Sequence, residues 1–126
     1  MADKKVVLVD DEEDIVEVLS VALESNGFDV VPAYSGEQAK EKIPEQNPDV
    51  IVLDVMMETH TKGFEVARWL RGREDTKDIP IIMLTGVNQE YPFDFGPDDM
   101  WLPVDKFINK PVSAERLLAE VQNVVK

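Results

Sequence analysis

Apolar residues fall into two alternating patterns along this chain of 126 residues. Unbroken apolar runs occur at Val6–Val9, Val50–Leu53 and Ile79–Leu84, the last interrupted only by Pro80, with a shorter one at Phe107-Ile108. They are too brief for helices and lack polar alternation, which marks strands buried on both faces of a parallel sheet. Phe28–Val31 reads as a further short strand, with Pro32 limiting its continuation. Between these runs, apolar residues recur at helical spacing. A helix is expected from about Asp14 to Ser25, turning Ile15, Val18, Leu19, Ala22 and Leu23 inward, with Asn26-Gly27 as its stop. Ser35 followed by Gln38 predicts a capping box for a second helix ending before Pro44, with a thin apolar face of Ala39 and Ile43. Gly63 precedes a third helix carrying Phe64, Ala67 and Leu70, with Arg68, Arg71 and Arg73 toward solvent or near its end. The last helix is expected from about Ser113, its cap, to Val125, with Leu117, Leu118, Val121, Val124 and Val125 inward.

Strand and helix alternating from end to end predict an α/β fold with right-handed crossovers. The alternation breaks between Thr85 and Lys106. A crossover helix belongs there, but the segment reads Tyr91-Pro92-Phe93-Asp94-Phe95-Gly96-Pro97 and then Trp101-Leu102-Pro103. Proline and glycine oppose a helix, so little regular helix is expected. Its aromatic residues either fold back over the sheet edge, the favoured reading, or form a docking segment for a partner.

Composition narrows the functional classes. A hydrophobic content of 44% supports one packed core, and the length suits a single domain. The chain has no cysteine, which removes disulfides and thiolate metal sites and suits a reducing cytoplasm. The single His60 cannot build a histidine metal cluster, and the N-terminus reads as neither a signal peptide nor a membrane span. A net charge of −13 argues against direct binding to nucleic acid or anionic lipid.

The ends of the strands carry the chemistry. Val6–Val9 leads into Asp10-Asp11, Val50–Leu53 into Asp54, the fourth run into Thr85-Gly86, and the last into Lys110-Pro111. In open parallel sheets the C-terminal strand ends form the functional edge, so three acids, a hydroxyl and a lysine are expected in one cleft. Carboxylates crowded together either take up a proton or hold a cation, and oxygen-only ligands in small number suit Mg2+. Asp54 could then act as a nucleophile toward a phosphoryl group. Lys110 would neutralise charge on that group and Thr85 would hydrogen-bond it. Taken singly, each residue has a structural reading; Asp11, for example, could cap the first helix. Four matching strand ends favour a site.

The motifs Val9-Asp10-Asp11-Glu12, Leu53-Asp54-Val55-Met56-Met57, Leu84-Thr85-Gly86 and Asn109-Lys110-Pro111 together resemble the receiver domain of bacterial two-component response regulators. The resemblance implies a flavodoxin-like (CheY-like) doubly wound five-stranded parallel sheet in the order 2-1-3-4-5, here with an atypical segment in place of the fourth helix. It implies that Asp54 is the phosphoacceptor, and that Asp10, Asp11 and Asp54 hold Mg2+ with the backbone carbonyl of Met56. By the same likeness Thr85 is the switch hydroxyl, Phe107 the aromatic that moves inward when it shifts, and Lys110 the lysine of the family's Lys-Pro motif. The donor would be the phosphohistidine of a sensor histidine kinase or phosphotransfer protein, and the output a change in binding to a downstream protein.

Two features depart from the family pattern. Glu58 stands where a proline is usual, and Gly63 comes one position late. The interval from Thr85 to Lys110 is also long, so a standard output surface is not carried over. Met56 and Val87 are apolar and offer no group to orient water, which predicts slow self-hydrolysis of a phosphoaspartate and no other catalysis. The chain ends just after its last helix, so the expectation is a single receiver over residues 1–126 with no output domain. Two alternatives remain: a degenerate receiver that binds partners without phosphorylation, and a magnesium-dependent aspartyl phosphohydrolase. The second usually needs an acid two residues after the nucleophile, where Met56 stands.

Overall fold

The computed structural model describes residues 4–54, 62–86, 106–110 and 113–125; at residues 62–64, 85, 86, 106, 107, 109 and 110 it does so by backbone alone. The elements are β1 (Lys4–Val9), α1 (Glu13–Glu24), β2 (Phe28–Ala33), α2 (Gly36–Gln46), β3 (Val50–Asp54), α3 (Lys62–Arg71), β4 (Ile81–Gly86), β5 (Lys106–Lys110) and α4 (Ala114–Val125). The strands form one five-stranded sheet in the order β2-β1-β3-β4-β5, and every pairing is parallel. This is the doubly wound sheet expected from the apolar runs.

Strand side chains alternate between two faces, and each face buries its own apolar layer. Val7, Val9, Ile51, Leu53, Ile81 and Met83 pack with Ala39 and Ile43 of α2 and Val66, Ala67 and Leu70 of α3. Val6, Leu8, Val50, Val52, Ile82 and Leu84 pack on the opposite face with Leu19 and Leu23 of α1 and Leu117 and Val121 of α4. Leu118, Val124 and Val125 are partly buried against the second layer, as the spacing of the last helix predicts. Ser113 caps that helix, its Oγ accepting from the Arg116 N–H at 3.0 Å.

Several local expectations need correction. In α1 the fully buried stripe is Val16, Leu19 and Leu23, whereas Val18 is 61% exposed. Two overlapping apolar stripes, one residue apart, run along this helix. Periodicity alone does not say which one the sheet takes; Ile15 is only partly buried. Strand β2 continues through Pro32 to Ala33, because it lies at the sheet edge where a missing N–H costs no ladder bond. Helix α2 also runs past Pro44 to Gln46. Pro44 falls in the last turn and forfeits a single helical hydrogen bond there. Helix α3 starts at Lys62, so Gly63 lies inside it rather than before it.

Helix α2 is closed by Asn47, whose left-handed backbone (φ 49°) brings its N–H to the Ile43 carbonyl at 2.9 Å. Asn tolerates this conformation and β-branched residues do not. Asn47→Val is therefore expected to destabilise the fold by about 1–2 kcal/mol, while Asn47→Gly should match or exceed wild type; urea denaturation compares the three.

Polar anchors hold the connection from α3 to β4. The buried Thr76 hydroxyl donates to the Leu70 carbonyl at 2.6 Å. Arg71 is the last residue of α3, in keeping with its expected place near the helix end, and donates from Nη1 to the carbonyls of Lys77 at 2.9 Å and Ile79 at 2.7 Å. On the α2 and α3 surface, Lys40 Nζ and the Arg73 guanidinium lie 5.6 Å and 4.7 Å from the centre of the Trp69 ring. Arg73 also pairs with Asp75 at 3.0 Å, and that hydrogen bond holds the Asp75 carboxyl below the usual carboxylate range. Both groups are solvent-exposed, so the pair adds little stability.

Candidate functional site

The sheet register brings the acids together. Val9 pairs with Leu53, so the next residues, Asp10 and Asp54, emerge side by side at the C-terminal ends of adjacent strands. Asp54 itself is level with Leu84, which puts Thr85 one residue beyond it on β4. Thr85 pairs with Asn109, and Gly86 with Lys110. The backbone thus delivers all four predicted strand ends to one edge. The expectation rested on four apolar runs each ending in a polar residue, and the parallel register is its physical basis.

Asp10 and Asp54 are buried, 1% and 3% exposed, and Asp11 is exposed. One carboxylate oxygen from each lies within 4.8 Å of the others. Asp10 is held from two sides. Its N–H donates to the Ala33 carbonyl at 3.0 Å, extending the β1–β2 ladder by one residue. Its Oδ1 accepts from the Glu12 N–H at 3.0 Å, a side-chain turn leading into α1. Asp11 had a structural alternative as a helix cap; the turn into α1 is made by Asp10, and Glu12 at the cap position has no side-chain cap bond. The signal was present, since an aspartate two residues before a donor N–H commonly forms such a turn.

The donor set is all oxygen and strongly anionic, with two buried members and one facing solvent. It therefore fits a hard divalent cation that retains part of its water shell. Beside the cluster, on the side of Asp11, lies a hollow of about 590 Å³ lined by Asp11, Glu12, Glu13, Asp14 and Ile15. Met56, whose carbonyl was expected among the ligands, lies outside the described residues, as do Glu58, His60, Val87 and the segment Tyr91–Pro103. The side chains of Thr85, Phe107 and Lys110 are likewise outside the description.

A doubly wound parallel sheet with an acid cluster at the tips of two adjacent inner strands defines a class of α/β proteins whose functional edge lies at the C-terminal strand ends. Within it, the chain belongs to the response regulator receiver domain family, whose model matches residues 6–122. Receiver domains of response regulators are signalling switches. Among curated relatives, the chain is 39% identical over 126 residues to the phosphate regulon transcriptional regulatory protein PhoB of Pseudomonas aeruginosa, covering all of this chain and 53% of that protein. It is 38% identical over 124 residues to the alkaline phosphatase synthesis transcriptional regulatory protein PhoP of Bacillus subtilis, covering 98% of this chain and 49% of that one. The chain thus spans about half the length of these relatives. Among solved structures, the chemotaxis response regulator CheY4 of Vibrio cholerae superposes with a TM-score of 0.81 at 30% identity, covering 98% of this chain and 99% of that one. A response regulator from Chloroflexus aurantiacus superposes with a TM-score of 0.82 at 25% identity, covering 98% of both chains.

Proposed function

We propose that this receiver accepts a phosphoryl group on Asp54 from the phosphohistidine of a sensor histidine kinase or phosphotransfer protein. The observation that carries this reading is the convergence of three carboxylate oxygens within 4.8 Å at the ends of two neighbouring strands. An Asp54 oxygen attacks phosphorus in line, the bond from phosphorus to the donor imidazole nitrogen breaks, and the electron pair stays on that nitrogen. Asp10, Asp11 and Asp54, with the Met56 carbonyl, would hold Mg2+. When bound, it draws charge from the phosphoryl oxygens. Lys110 would balance the remaining charge and Thr85 would take a phosphoryl oxygen as hydrogen-bond acceptor, with Phe107 following the Thr85 movement. This switch would alter the binding of a downstream protein. Residues 1–126 form one receiver unit in this reading, working in the cytoplasm, which suits a chain without cysteine. Among the described residues no helix is long and apolar enough to cross a membrane. The only catalysis expected of the chain is slow loss of its own phosphoryl group.

Incubation with Mg2+ and a small acyl phosphate, followed by intact mass measurement, tests the proposal. Gain of one phosphoryl group supports it, and an unmodified chain overturns it. The cation part has its own readout. Mg2+ at a hundred times its dissociation constant is expected to stabilise the fold by about 2.7 kcal/mol. Thermal unfolding should show this shift in wild type and a much smaller one in Asp10→Asn.

A further inference from the structure

Two side chains of α2 reach the chain on either side of Ala33. Gln38 Oε1 accepts from the Tyr34 N–H at 2.9 Å, and Lys42 Nζ donates to the Pro32 carbonyl at 2.7 Å. Ala33 is fully buried, and its carbonyl accepts from the Asp10 N–H at 3.0 Å. The Ala33 carbonyl and the Tyr34 N–H belong to one planar peptide group, so a partner that fixes one also aims the other. Gln38 therefore bonds the same peptide that holds Asp10. That peptide joins the two bonds into a chain, and bonds so linked polarise and strengthen each other. Beyond it Asp10 Oδ1 accepts from the Glu12 N–H, so the series runs from α2 to the acid cluster. Lys42 fixes the preceding peptide, between Pro32 and Ala33. Gln38 is itself placed by its own N–H, which donates to the Ser35 hydroxyl at 3.1 Å.

Resting on the cation reading above, we propose that Gln38 and Lys42 are positioning residues for that site. They act through the backbone. Their two bonds hold the peptides flanking Ala33, Ala33 holds Asp10, and Asp10 keeps its place beside Asp11 and Asp54. The cluster tolerates little freedom here, because three carboxylate oxygens must stay within 4.8 Å of one another against their mutual repulsion. Groups outside the ligand set that orient a ligand tune a bound metal in this way. The apolar face of α2 is thin, its buried residues being Gly36, Ala39 and Ile43, which gives the polar ties a larger share in seating the helix.

The experiment measures amide hydrogen exchange by NMR and Mg2+ affinity by calorimetry in wild type, Gln38→Ala and Lys42→Met. Gln38→Glu keeps the acceptor oxygen and Lys42→Arg keeps the donor. In Gln38→Ala, exchange of the Asp10 amide relative to those of Val7 and Leu8 in β1 is expected to rise roughly two- to tenfold, the worth of one hydrogen bond. Mg2+ affinity is expected to fall roughly threefold, less than for groups that bond a ligand side chain directly. Lys42→Met should share both changes. Loss of a positive charge would alone tighten Mg2+ binding, so a fall has the sign of positioning and not of charge. Gln38→Glu and Lys42→Arg should return the exchange ratio to wild type. Asn47→Val, which loosens the far end of α2, should leave both readouts unchanged. An equal rise at all three amides overturns the proposal, as does Mg2+ affinity unchanged or raised in both Gln38→Ala and Lys42→Met. Wild type that takes up no Mg2+ removes the cation reading instead, and the exchange ratio then decides alone whether α2 holds Asp10. If Gln38→Ala does not fold, Lys42→Met carries both readouts.

Discussion

Asp54→Asn is expected to take up no phosphoryl group under conditions in which wild type is modified. The amide is isosteric with the carboxylate, so the buried position at the end of β3 is preserved. What is lost is the anionic oxygen that forms the bond to phosphorus. The mass of the variant after treatment with Mg2+ and an acyl phosphate should stay unchanged, a loss of essentially the whole signal. Uptake at the wild-type level by Asp54→Asn would move the acceptor elsewhere and remove the central claim. The same variant should be folded, because neutralising one member of a crowded carboxylate cluster relieves repulsion. Circular dichroism of the untreated variant separates loss of chemistry from loss of structure.

The second large effect lies one residue earlier. Leu53 is fully buried and packs in the layer formed with α2 and α3. Leu53→Ala is expected to destabilise the protein by about 2–5 kcal/mol through lost burial and the cavity left behind. Urea denaturation measures it, and a change below about 1 kcal/mol would mean that the layer collapses around the gap. Because Leu53 precedes the proposed acceptor on the same strand, phosphorylation of the surviving folded fraction offers a further reading. A slower rate at unchanged Mg2+ affinity would show that core packing positions Asp54.

Much of this architecture was legible before any coordinates. Unbroken apolar runs such as Val50–Leu53 can be satisfied only with cover on both faces, and that requirement yields the parallel sheet with helices on either side. The acid cluster was legible for the same reason, since parallel strands send their C-terminal ends to one edge. The errors have a common physical source. Val18 was placed inside because a helix with two adjacent apolar stripes does not encode which stripe meets the sheet. Pro32 and Pro44 were read as stops, yet one sits where its nitrogen faces no strand and the other in a final turn. Arg71 does stand at the end of α3, but its carbonyl partners were not legible because they belong to a connection without periodicity. Ser35 and Gln38 did form a reciprocal arrangement, with the glutamine reaching Tyr34 rather than Ser35. In each case the deciding factor was tertiary placement rather than local pattern.

The bond from Glu12 N–H to Asp10 Oδ1 has a kinetic corollary. It limits rotation of that carboxylate, so the negative pocket is already shaped before an ion arrives. In the proposed role, loading would then be paced more by how reluctantly magnesium gives up its water than by reorientation of this carboxylate.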